Sequence, residues 1–354
     1  MSRFLDVRYD VLEAYTPGEQ PRDQIYIKLN TNESPYPPAP EVVAAVDQKQ
    51  IEDLRLYSDP TGFALKQKLA GLYGLEPEKV FLSNGSDDIL NFAFMAFGNP
   101  RGAVYPDITY GFYPVYAQLH GIAAEEIPLE PDFSLDYRKF CSVNRMVVIA
   151  NPNAPTGMEI PLWQIEEILK TNPDTVVVID EAYVDFGGTS CYPLIGKYDN
   201  LLVVRTFSKS RCMAGARLGY AFGCRALIED LEKLKYSTNP YNVNRITMLL
   251  GCATVDAEPY YQNCCEFICE TREWTAKALE ARGFRVLPSK ANFLFVSHPG
   301  LSGEELYAQL RQRGILVRHF RKERIKDYVR ITIGTGDQME CLVGALDEMT
   351  GGQV

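Results

Sequence analysis

The stretch 205–220 reads "RTFSKSRCMAGARLGY", with Ser208 directly before Lys209 and Arg217 eight residues after that lysine. An amine there could form a Schiff base with a carbonyl, while a hydroxyl and a guanidinium could hold a phosphate beside it. The run "VVVIDEAY" ends on Asp180, Glu181 and Tyr183. A carboxylate at the end of a buried strand is costly unless it faces a cation, either an arginine of the fold or a ligand. In "FLSNGSDD" the chain turns at Gly85 into a helix start, whose free N–H groups attract an anion. Ser86 and Asp87 could equally be ordinary helix caps. "NPNAPTG" is full of turn formers, and is either a tight loop or one whose asparagine side chains, Asn153 among them, meet a ligand. A lone lysine at a strand end would carry no message. Four strand ends with unusual residues do, because ligands of open α/β sheets gather beyond the carboxyl ends of the strands.

Those residues need a frame that brings strand ends together. Short apolar runs alternate with amphipathic stretches from about residue 79. "KVFLSNGS", "MVVIANPN", "TVVVIDEAY", "LLVVRTFSK" and "LGYAFG" lack strict alternation, the mark of strands buried on both faces. "DDILNFAFMAFG" and "LWQIEEILK" between them have helical periodicity. The order βαβα predicts an α/β fold, with a large domain over 31–250 whose mostly parallel central sheet is flanked by helices. After "NPYNVNRITMLLG" the pattern changes. A long helix over about 256–281, the run "FRVLPSKANFLFVSH", a helix over 302–313, "ILVRHF", "YVRITIGT" and a final helix predict a smaller α+β domain over 251–354. Residues 1–30 are expected to form an arm on that small domain, and the proline-rich "NESPYPPAP" to cross between the two.

Composition narrows the classes. With 354 residues, 46% of them hydrophobic, the chain can bury a large core. No run of ~18 apolar residues is present and no apolar leader opens the chain, so neither a membrane span nor a secretory signal is expected. The nine cysteines form no CxxC pair and the three histidines (His120, His298, His319) are scattered, which favours reduced thiols in a cytoplasmic protein over a metal site. A net charge of −10 argues against a nucleic-acid partner.

Taken together, "KLNTNESPYPP", "RLYSDP", "NGSDD", "NPNAPTG", "VIDEAYVDF", "RTFSK…AGARLGY", "NPYNVN", "SKANFLFV", "ILVR" and "VRITIGT" resemble fold-type I enzymes that use pyridoxal 5′-phosphate (PLP). Within them the pattern is similar to the histidinol-phosphate aminotransferase family, of class II, over nearly the whole chain. The resemblance implies that Lys209 is the amine that binds PLP covalently and later moves the proton. It implies that Asp180 keeps the pyridine nitrogen protonated so that the ring can take up electrons, that Tyr183 hydrogen-bonds the phenolic oxygen, and that Tyr110 stacks on the ring. The cofactor phosphate would lie on the N–H groups of Ser86 and Asp87 after Gly85, on Ser208 and on Arg217. Tyr57 would reach that phosphate from a second subunit, implying a homodimer with shared active sites.

On the substrate side, the alternation of Val329, Ile331 and Ile333 turns Arg330 away from the apolar face, where an idle surface arginine would also sit. The resemblance makes Arg318 and Arg330, with Tyr15 of the arm, the clamp for a substrate phosphate and for the carboxylates of glutamate. The implied reaction moves an amino group between L-histidinol phosphate and 2-oxoglutarate. The alternatives are a threonine-phosphate decarboxylase or an aromatic amino-acid aminotransferase of the same superfamily. A PLP-sensing regulator would need an attached DNA-binding module, for which no extension is evident. Two positions depart from the family pattern. Ala154 stands where an asparagine before "PTG" contacts the phenolic oxygen, leaving Asn153 to take over or Tyr183 to act with less help. Arg211 and Cys212 replace small or aromatic residues after the lysine.

Overall fold

The computed structural model describes residues 2–350 apart from Val11 and Pro100; Met1 and residues 351–354, included in the expected arm and small domain, lie outside the described residues. The arm ends in a two-residue strand, Ile27–Lys28 (β1). The large sheet follows, built from Val80–Ser83 (β2), Ala103–Pro106 (β3), Ala124–Ile127 (β4), Met146–Ala150 (β5), Val177–Asp180 (β6), Leu201–Thr206 (β7) and Gly219–Gly223 (β8). Its spatial order is β2-β8-β7-β6-β5-β3-β4. Only β8 runs against its neighbours; the other pairings are parallel. The carboxyl ends of β2, β5, β6 and β7 therefore share one edge. Because β8 is reversed, its start lies on that edge, and this brings Arg217 there.

The apolar runs lack alternation because both faces of the sheet are covered. Val147, Ile149, Val177, Ile179, Leu201 and Val203 pack into one buried cluster. Their neighbours Val148, Val178, Leu202 and Val204 pack into another on the opposite face. One strand escapes sequence patterning: β4 is an edge strand reading "AEEI" with only Ile127 buried, so it shows no apolar run.

A second sheet holds Arg285–Val286 (β9) and Phe293–Ser297 (β10). Ile315–Leu316 (β11) pairs in parallel with β1 instead, tying the arm to this region. Arg318–His319 (β12) and Tyr328–Thr332 (β13) complete the order β12-β13-β10-β9, antiparallel throughout. The helix expected over 256–281 is Glu258–Glu280, and a separate helix, Arg245–Asp256, precedes it. Pro259 cannot continue a helix from behind but suits a first turn, so the second helix starts there. The helix Gly303–Gln312 opens with a capping box between Ser302 and Glu305.

Candidate active site

At the shared strand edge lies a cavity of about 360 Å³. Lys209 lines it, three residues past the end of β7, and its Nζ donates to the Thr31 carbonyl at 3.3 Å and lies 5.9 Å from the centre of the Tyr183 ring. Asp180, the last residue of β6, lines the same cavity and is only 5% exposed. Burial pushes its carboxyl up to about 6, against the lowering effect of hydrogen bonds from Tyr113 Oη (2.9 Å) and the Ala182 N–H (3.2 Å). The arginine of the fold does not go to Asp180. Arg205 donates to the neighbouring acid, Glu181, at 3.0 Å, with both side chains buried.

Opposite stands the start of the helix Ser86–Phe97. Neither Ser86 nor Asp87 is its cap: Gly85 takes that position at φ +86°, and no side chain caps the first turn. A Cβ at Gly85 would lie 2.5 Å from the Arg217 guanidinium, so only glycine leaves room for that group. Arg217 itself has φ +54°, a left-handed backbone that aims its side chain at the helix start. There it pairs with Asp87 at 3.0 Å, and Asp87 also accepts from Tyr110 Oη at 2.7 Å. Ser86 and Ser208 line the same space. An amine, a buried acid without an ionic partner among the described residues, and a cradle of N–H, hydroxyl and guanidinium donors thus face one cavity.

A second cavity of about 310 Å³ shares Tyr110 and Ala154 with the first. Tyr15, Arg318 and Arg330 line it. Tyr15 stacks on Phe112 with centroids 4.1 Å apart. Burial raises its hydroxyl pKa, and the charges of Arg318 and Arg330 oppose that. Arg330 is no idle surface arginine. It lies between the rings of Phe293 and Phe320, at 5.3 and 5.7 Å, and donates once, to the Asn30 carbonyl at 3.1 Å. Its Nε is buried and has no hydrogen-bond partner among the described residues. Burial pulls its pKa down, and the nearby phenols Tyr183 and Tyr15 oppose the shift.

Two expected residues lie elsewhere. Asn153 does not reach the first cavity: its Nδ2 donates to the Ile108 carbonyl and Thr156 Oγ1, both at 3.0 Å, and its Oδ1 accepts from Thr109 at 2.8 Å. The amide is consumed in holding its own loop, so it does not replace the asparagine absent at Ala154, which packs against Ala291, Phe293 and Tyr183. Tyr57 is 78% exposed and stacks on Tyr241 at 4.5 Å, outside both cavities. Of the other departures, Arg211 is buried in an ion pair with Glu258. Sequence reasoning missed Tyr113, the partner of Asp180, and Asn32, whose Nδ2 donates to Tyr183 Oη at 2.9 Å. The signal for Asn32 lay in "KLNTNES", where two polar residues, Asn30 and Asn32, are each 1% exposed.

Comparison with known proteins adds a lineage to this geometry. The model of the family "Aminotransferase class I and II" matches residues 24–346. A histidinol-phosphate aminotransferase of Brachyspira hyodysenteriae is 48% identical over 345 residues, covering 97% of this chain and 98% of that one. One from a Marinomonas species is 50% identical, covering 98% and 99%. Among solved structures, the histidinol-phosphate aminotransferase of Sinorhizobium meliloti in complex with pyridoxal-5′-phosphate superposes with a TM-score of 0.84 at 24% identity, covering 94% of this chain and 92% of that one. The L-threonine-O-3-phosphate decarboxylase of Porphyromonas gingivalis gives 0.78 at 20% identity, covering 92% and 99%.

Proposed function

From the premise that the chain belongs to the class I and II aminotransferases, we propose that it is a PLP-dependent histidinol-phosphate aminotransferase. It would transfer an amino group between L-histidinol phosphate and 2-oxoglutarate, giving imidazole-acetol phosphate and L-glutamate. One observation carries the reading: a cavity with a lysine amine and a buried acid adjoins a second whose half-buried arginine has a buried Nε, and among the described residues the acid has no ionic partner and the Nε no hydrogen-bond partner.

The residues present fit the cofactor. Asp180, raised by burial and without a cationic partner among the described residues, suits a protonated ring nitrogen. The uncapped helix start, Ser208 and Arg217 suit a phosphate. When bound, PLP supplies an electron sink for a carbanion at the substrate's Cα. The chain's residues do the rest. Lys209 Nζ takes and returns the proton, Asp180 holds positive charge at the ring nitrogen, and Tyr183 Oη offers a hydrogen bond. Tyr110 closes one side of the cavity, fixed by its bond to Asp87. Arg330 and Arg318, with Tyr15, hold a phosphate in one half-reaction and a carboxylate in the other. A homodimer is part of the proposal, supported by the exposed Tyr57–Tyr241 stack and by Ile51, Leu54 and Phe63, each more than half exposed.

The test follows each half-reaction separately in the visible spectrum, with histidinol phosphate, then 2-oxoglutarate, and threonine phosphate in parallel. Amino transfer from histidinol phosphate and no CO2 release from threonine phosphate is the expected result; the reverse would turn the assignment to the decarboxylase. Light scattering of the PLP-loaded protein is expected to give twice the mass of one chain.

A further inference from the structure

Tyr183 is the one tyrosine of the first cavity that is held by a side-chain amide, and the hydrogen bonds around that amide fix which way it points. Asn32 is 1% exposed and has φ +55°, a conformation asparagine tolerates better than most residues. Its backbone N–H donates to Thr332 Oγ1 at 3.0 Å. The Thr332 hydroxyl in turn lies 2.9 Å from Asn32 Oδ1. Thr332 is 2% exposed, and no other acceptor for its proton exists among the described residues. Its proton therefore goes to Oδ1, which leaves Nδ2 as the atom facing Tyr183 Oη, at 2.9 Å. Asn292 Nδ2 holds the Asn32 carbonyl at 3.1 Å and locks the segment from the other side.

A consequence follows for the phenol. Since Asn32 donates, Tyr183 Oη accepts, and its own proton must point elsewhere. No protein group among the described residues accepts it, and Tyr183 lines the cavity. We propose that Asn32 is a positioning residue: it turns the hydroxyl of Tyr183 so that the proton is offered to whatever occupies the cavity. Thr332, which orients Asn32, lies on β13 two residues from Arg330. One strand thus supports both the anion clamp of the second cavity and the phenol of the first. This inference rests on the PLP reading above.

The test uses the PLP-loaded protein and the pH midpoint of its visible absorbance in four forms: parent, Asn32→Asp, Tyr183→Phe and the double variant. Aspartate keeps the shape and tolerates the backbone, but it accepts where asparagine donates and so draws the phenolic proton back. Loss of a donor at an oxygen leaves that oxygen, and a proton it shares, more basic. Each single variant is expected to raise the midpoint by about one pH unit, a tenfold change, and the double variant to move no further than Tyr183→Phe alone. A midpoint moved by Tyr183→Phe but unmoved by Asn32→Asp, or single shifts that simply add, would overturn the inference and leave Asn32 as packing. A parent without any PLP-dependent visible band would instead sink the reading of the cavity. Should Asn32→Asp not fold, Asn32→Gly keeps the left-handed backbone and removes the same donor; it carries the same expectation and the same overturning result.

Discussion

In the cavity at the sheet edge, the charged groups come from strand and helix ends, and most are already paired: Arg217 with Asp87, Asp87 with Tyr110, and Asp180 with Tyr113. The neighbouring cavity draws on the arm and the small sheet. There Arg318 donates to the carbonyls of Thr16 and Pro17, and Arg330 lies between two aromatic rings with its Nε unpartnered among the described residues. Among the described residues, Asp180, buried in the first cavity, and Arg330, half-buried in the second, have no ion partner, and the two have opposite sign. Burial pushes both toward neutrality, Asp180 upward and Arg330 downward. The lesson is that each cavity lacks a different complement. The first fits a ligand bringing a cationic nitrogen to Asp180, and the second a ligand bringing an anion to Arg330. Rigid strand ends suit a resident group, while an arm and a small sheet suit one that comes and goes.

The contrast can be broken most sharply at Lys209. Lys209→Ala is expected to cut turnover by at least about a thousandfold and to abolish the PLP-dependent visible band, since no other amine replaces it. Retained absorbance and rate would remove the first cavity from the chemistry. Next comes Arg330→Ala, which loses a desolvated, charge-assisted contact of ~2–4 kcal/mol, so kcat/KM for histidinol phosphate falls roughly 30- to 1000-fold. Glutamate should suffer as well, and PLP content should not. Arg318→Ala is expected to harm the phosphate substrate at least as much as glutamate. Dialysis followed by half-reaction kinetics separates the two cavities, and equal loss of PLP and of substrate turnover would erase the distinction between them.

A smaller effect concerns the stability of the PLP-free protein. Asp180 is raised from 3.8 to about 6, so its protonated form is favoured in the fold. The stabilisation is complete below pH 3.8 and is lost as pH rises to about 6 and beyond. Over that window the parent should lose up to about 3 kcal/mol relative to Asp180→Asn, with no further divergence at higher pH. Urea unfolding of both proteins across the range reads the difference, and parallel curves would mean that Asp180 is not held toward its neutral form. The smallest effect is expected at the shared wall. Ala154→Asn should fold, with a melting temperature within a few degrees of the parent, because the side chain can extend toward the cavity. Failure to fold would mean that the contacts with Ala291 and Phe293 leave no room.

Much of this was legible in the residues themselves. The runs ending at Ser83, Ala150, Asp180 and Thr206 are continuous because both faces of the sheet are buried, and burial on both faces writes itself into consecutive residues. Turn and cap chemistry at Gly85 is likewise local. The edge strand Ala124–Ile127 stayed hidden because only one of its residues is buried. What no stretch of sequence could state is which polar group meets which. The choice of Arg205 for Glu181 over Asp180, the capture of Asn153 by its own loop, and the bond from Asn32 to Tyr183, 151 residues away, were decided by the packed fold. Periodicity needs only a few neighbouring residues, whereas a buried hydrogen bond needs two distant segments brought to within about 3 Å, a distance only the tertiary structure sets.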